Sequence, residues 1–166
     1  MENQKKCNFN LLACHNYDSR TGTIVGLFNS IQLNENEVLS FDLLTIMNFL
    51  NKQYETLTIF YCIYNVEKGA NTAKIINKSV FRRKNGVAGS NGRIRQTTIQ
   101  HLSNAIKSIR ISNMKFTEKG DYEVRAYVFW DNEHLDITSK EAKEVDIDTL
   151  LTIEDSLASV INIEIF

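Results

Sequence analysis

Five cations crowd one stretch rich in glycine and asparagine: RRKNGVAGSNGRIR carries Arg82, Arg83, Lys84, Arg93 and Arg95. A flexible loop of this kind can turn backbone N–H groups toward an anion while its side chains supply charge, which is phosphate-binding chemistry. The stretch lacks the Gly-Lys-Ser/Thr of a Walker A loop, and no aromatic beyond Phe81 is interleaved for base stacking. The surrounding charge pattern is broader than the loop. Between Glu67 and Glu118 there is no acidic residue and there are eleven basic ones: Lys68, Lys74, Lys78, Arg82, Arg83, Lys84, Arg93, Arg95, Lys107, Arg110 and Lys115. The rest of the chain holds 8 basic residues against all 20 acidic ones, and residues 118–166 alone hold 13 acidic against 4 basic. Three readings therefore compete for the loop: a phosphate-ligand or nucleic-acid site, a contact with an acidic protein surface or a second copy of the chain, and a solvated hairpin tip opposed by acidic strands of the same domain.

Catalytic and metal chemistry find less support. His15, His101 and His134 lie in separate segments without ligand spacing, and Cys14 and His15 point to opposite faces of a regular strand. Cys14 and His134 could meet in space, but no nucleophile motif frames either. Asp146 and Asp148 in EVDIDT repeat part of a calcium loop without its central glycine. The expectation is a non-enzyme with no metal and no cofactor.

The chain is 166 residues long, 43% hydrophobic and 23% charged, enough to bury a core without staples. MENQKK is not followed by the apolar region of a secretory signal, and no run approaches the roughly 18 apolar residues of a membrane span. Three cysteines, Cys7, Cys14 and Cys62, with no CxxC spacing suit a reducing compartment, so a cytoplasmic protein is expected. Zero proline with abundant Lys, Asn and Ile suggests an AT-rich genome, such as that of a low-GC bacterium or phage.

The elements that must position these residues read mostly as strands, spaced as in an antiparallel sandwich. Asn8–Cys14 and Thr23–Ile31 flank the polar turn NYDSRTG, with Gly26 marking a bulge or a close backbone approach. Leu39–Leu50 fits a strand better than the helical stripe it also permits. Thr56–Asn65, β-branched or aromatic at nearly every position, should be central, with Thr72–Phe81 as its hairpin partner. Arg93–Gln100, Ala105–Phe116 and Asp121–Trp130 follow, then a turn at Asp131–Glu133 and a last strand near Asp136–Val145. Thr152 and Asp155 resemble a capping box and predict a C-terminal helix of about ten residues. Within Asp121–Trp130, Tyr127 and Phe129 share a face opposite to Tyr122 and Trp130. That second face is either covered by helix and loops or is an aromatic interface.

FTEKGDYEVRAYVFW, with Gly120, Tyr122 and alternating apolar residues, resembles the penultimate strand of immunoglobulin-like and fibronectin-like sandwiches. The resemblance implies that Tyr122 ties the strand's corner through its hydroxyl. NLLACHNYDSRTGTIVGLFNSI is similar to the opening of a family of bacterial and phage immunoglobulin-like domains of unknown function. Together the likeness spans about residues 8–145, and the chain departs from it in lacking proline and in its basic loop and C-terminal segment. It implies an all-β immunoglobulin-like sandwich of 7–9 strands, expected over residues 1–147, to which the capping signal at Thr152 adds residues 148–166 as a helical appendage. The function expected is a non-catalytic interaction module, binding a protein partner or itself through a sheet face and the basic loop. The alternative is a nucleic-acid or phosphate-ligand binder using residues 82–95.

Overall fold

The computed structural model describes residues 7–49, 56–82 and 104–166. Nine strands are present among them: β1 (Cys7–Asp18), β2 (Thr23–Leu27), β3 (Ser30–Ile31), β4 (Val38–Phe49), β5 (Thr56–Asn65), β6 (Lys74–Arg82), β7 (Asn104–Lys115), β8 (Gly120–Trp130) and β9 (Leu157–Ile165). They form a four-stranded sheet in the order β2-β1-β4-β7 and a five-stranded sheet in the order β3-β9-β8-β5-β6. Pairing is antiparallel except where β3 joins β9 in parallel for two residues. This is an immunoglobulin-like β-sandwich.

Period-two alternation explains the inner core. Leu57, Ile59, Tyr61 and Ile63 of β5 point to the same side as Tyr122, Val124, Ala126 and Val128 of β8, and meet Leu11, Phe41, Leu43 and Met47 from the facing sheet. Polar groups in this interior are paired. The Tyr61 hydroxyl lies 2.7 Å from Thr45 Oγ1, and burial pushes its pKa up to about 12.

β5 has both faces apolar because it sits between β6 and β8 and carries a second core on its outer side. There Phe60, Cys62, Tyr127 and Phe129 pack under Ile137, Val145 and Leu150, which come from the crossover between β8 and β9. Tyr127 and Phe129 are each 1% exposed. They are therefore not interface aromatics, and the alternative expected for this face, a cover of helix and loops, is the one observed.

The crossover corrects two further expectations. No strand forms near Asp136–Val145. The chain instead makes α1 (Leu135–Thr138), a 3-10 turn at Ala142–Glu144 closed by reciprocal Glu141 and Glu144 hydrogen bonds, and α2 (Ile147–Leu151), capped by Asp146. Spacing Ile137, Val145 and Leu150 along turns lets all three point down onto one sheet face, which a single strand could not arrange. A short helix is thus present, but earlier than expected. The predicted helix from Thr152 is reduced to a 3-10 turn at Glu154–Ser156, after which β9 begins. Ile161, Ile163 and Ile165 alternate as a β-branched row against β8, and this pairing outweighs the local capping signal. Residues 157–165 are consequently a strand of the five-stranded sheet, not a helical appendage.

The expected strand Thr23–Ile31 is broken. Phe28 still donates to Ala13 of the first sheet, whereas Glu164 of the second donates to Asn29, so the chain changes sheets at this step. Gly26 holds φ +64°, and a Cβ there would lie 2.6 Å from His15 Cδ2. The close approach read from its position is real.

Candidate functional site

The charge asymmetry has a place in the fold. β6 and β7 are the end strands of the two sheets, and they lie on the same side of the sandwich. At one end Lys107 of β7 sits over the Phe81 ring of β6, 5.8 Å from its centroid. At the other, Lys74 of β6 and Lys115 of β7 line one cavity. Two end strands running side by side thus carry cations of the acid-free stretch, so positive charge from both sheets gathers along one lateral side. Both have an unpaired edge among the described residues, and lysines on such edges also discourage the addition of further strands.

Several of these cations hold structure. Lys78 donates to the Thr138 and Lys140 carbonyls at 2.7 Å each, pinning the crossover to β6. Arg110 donates to the His15 carbonyl at 2.9 Å and lies 3.3 Å from the buried Asp42 carboxylate, which also accepts from Tyr17 N–H. Lys68 lies 3.5 Å from Glu118. Lys74 and Lys115 are exposed. Of the loop cations, the backbone of Arg82 closes β6, while Arg83, Lys84, Arg93 and Arg95 lie outside the described residues, as do the expected strand Arg93–Gln100 and His101.

The cavity between Lys74 and Lys115 measures about 160 Å³. It lies between the sheets where β5 ends, bounded by the β7–β8 turn. Tyr122 stands in its wall, and the Tyr122 hydroxyl donates to the Glu118 carbonyl at 2.8 Å, tying that turn to the strand that follows. The ring also meets Phe116 edge-on at 4.8 Å. This is corner geometry: the tie fixes the position of residues 114–118. Nothing in the sequence brings Lys74 and Lys115 together, because they are 41 positions apart and meet only through the pairing of the two sheets.

The thiols are out of contact with solvent. Cys7, Cys14 and Cys62 are all free and buried. Burial pushes the Cys62 thiol up to about 12, and burial followed by the nearby Asp42 charge raises Cys14. His15 and His134 are exposed, in different parts of the fold. No group of three His, Cys, Asp or Glu side chains comes together among the described residues. One polar network lies on the outer face beside the second core. Arg125 donates to Glu123 at 2.8 Å and to the Tyr64 hydroxyl at 2.6 Å, with its NH1 3.4 Å from the Tyr127 hydroxyl, and Tyr64 donates to Glu123. Burial and the Glu123 hydrogen bond push Tyr64 up to about 12. Burial alone would raise Glu123, but its bonds from Tyr64 and Arg125 and the Arg125 charge outweigh it and lower it. Each member is satisfied by another, which is the arrangement of a structural clasp.

The opposite lateral side holds a largely apolar cavity, with Asn29 and Asn162 as its polar lining residues. Leu11, Leu12, Ala13, Leu27, Phe28 and Ile161 also line this cavity of about 480 Å³ where the chain passes from β2 to β3. No charged residue lines it.

No known family model matches the sequence, and no curated protein matches it. Among solved structures, the chain is similar to the CARDB domain of the PF1109 protein from Pyrococcus furiosus, a structure described as a complex with di-metal ions. Identity is 7%, the alignment covers 96% of this chain and 87% of that one, and the TM-score is 0.44. It is also similar to an immunoglobulin-like protein, PA1606, from Pseudomonas aeruginosa, at 8% identity, with 98% and 94% coverage and a TM-score of 0.35. Among the described residues no helix is long and apolar enough to cross a membrane.

Proposed function

We propose that this protein is a non-catalytic binding module that docks an acidic protein surface, on a partner or a second copy, along its basic lateral side. One observation carries the proposal: ten of the eleven cations of residues 68–117, all but Lys68 in the turn before β6, come from two end strands that run side by side and from the segment between them. Like charge collected on one side is costly to the free protein and is relieved by an acidic partner. The buried, protonated thiols support a binding role over nucleophilic chemistry, and their lack of bridges supports a reducing compartment such as the cytoplasm.

Light scattering after size exclusion, read with the 260/280 nm absorbance ratio, tests this at 50 and 300 mM salt. The protein is run alone and with polyglutamate. The expected result is association with polyglutamate, or with a second copy, that weakens at high salt and is lost when Arg83, Lys84, Arg93 and Arg95 are changed to Glu. Nucleic acid that co-purifies and leaves at high salt would replace the protein partner with a phosphate backbone bound through residues 82–95. Absence of any acidic ligand at 50 mM would refute the proposal.

A further inference from the structure

We infer that the cavity at the Lys74 and Lys115 end of the basic side is a carboxylate-binding site. It would accept either an acidic side chain of a docked protein or a small free carboxylate. The inference rests on the binding role proposed above and names the chemistry of one anchor within it. Its walls are of two kinds. Ile63, Met114 and Phe116 supply apolar surface, while Lys74, Lys115, Thr72 and Asn65 supply polar atoms. The one carboxylate in the wall, Glu118, is matched by Lys68 at 3.5 Å, so the two further ammonium groups leave an excess of positive charge. Lys115 has only a 3.4 Å approach to Asn36 Oδ1, and Lys74 is exposed, so both can turn toward an anion.

Asn65 is the buried polar residue of the wall. It is 3% exposed, and its Oδ1 accepts from the Lys68 N–H at 3.1 Å, which fixes the amide's orientation. Its Nδ2 is then a buried donor with no hydrogen-bond acceptor among the described residues. That atom is closed off from the cavity and lies beside Gly120, so the contacts the wall offers a ligand are those of the two lysines. A volume of about 160 Å³ corresponds to roughly five water molecules at ~30 Å³ each, enough for a carboxylate on a short aliphatic stem. The mixed lining suits that amphiphile better than a phosphate, which has no apolar part to place against Met114 and Phe116.

The test is an amide chemical-shift titration of the whole chain with glutarate, a glutamate-rich peptide and inorganic phosphate at constant ionic strength. Shifts are expected at Asn65, Thr72, Lys74 and residues 114–118. Lys74→Gln with Lys115→Gln should weaken binding at least tenfold, while the exposed Lys119→Gln leaves it unchanged. Both cavity lysines are exposed, so an otherwise unaltered spectrum confirms that the fold is kept. Binding of glutarate as tightly as the peptide assigns a free carboxylate, whereas binding of the peptide alone assigns a side chain of a partner. Binding of phosphate alone, silence at the wall, or a double variant that binds like the parent would overturn the site. If polyglutamate still binds the basic side while the wall is silent, only the anchor falls. If neither binds, the module's proposed role falls with it.

Discussion

Leu150→Ala tests whether the crossover between β8 and β9 is part of the folded unit. Leu150 is fully buried over Phe60 and Phe129 in the second core. Truncating such a leucine removes its transfer free energy and leaves a void, at a cost of roughly 2–5 kcal/mol depending on how far the site collapses. Here it projects from α2, a helix of 5 residues between turns, which can settle inward more readily than a long element. The lower part of the range, about 2–3.5 kcal/mol, is expected, equivalent to a fall in Tm of roughly 5–12 °C for a domain of this size. The assay is urea unfolding followed both by far-UV circular dichroism and by Trp130 fluorescence, since Trp130 packs against the inner core. Both probes should shift together with an unchanged slope. Leu135→Ala, on the same crossover but 54% exposed, should stay within about 0.5 kcal/mol of the parent. A loss below about 1 kcal/mol for Leu150→Ala, or a transition that splits between the two probes, would show that the crossover unfolds separately and that Tyr127 and Phe129 can be uncovered.

Other expectations follow from single residues. Tyr122→Phe removes the hydroxyl bond to Glu118 and should cost about 1 kcal/mol in the same unfolding assay, with amide shifts confined to residues 114–122. Gly26→Ala meets both a left-handed φ and the His15 ring, so it should cost more than about 1 kcal/mol, and a double-mutant cycle with His15→Ala should recover part of that loss. Cys62, pushed up to about 12, should stay unreactive toward a thiol reagent at pH 8 in the native protein and react only on unfolding. Glu123 is lowered in the fold, so the stability it adds is complete above its ordinary value of 4.5 and is lost as pH falls below it. Glu123→Gln should therefore flatten the acid limb of the stability curve.

The sandwich was legible where side-chain parity repeated along a strand. Thr56–Asn65 reads as a strand with the bounds that β5 has, and the alternation in Leu39–Leu50 anticipates β4 over its helical stripe. The C-terminal third misled local reading because its apolar residues answer to partners far away. Ile161, Ile163 and Ile165 are drawn into β9 by β8, while Ile137, Val145 and Leu150 are set on turns by the outer face they cover. Charge asymmetry along the chain was plain in the sequence. That it becomes one side of the molecule depends on β6 and β7 ending different sheets, which no local pattern encodes. The cavity that Lys74 and Lys115 share likewise exists only once the two sheets have packed together.

The most direct test of the account is to map where an acidic ligand binds, by following amide shifts of the whole protein as polyglutamate is added at 50 mM salt. Docking along the basic side predicts shifts concentrated on β6, β7 and the cationic segment between them, and these vanish at 300 mM. Shifts concentrated instead on β1, Leu27–Asn29 and β9, around the apolar cavity, would contradict it.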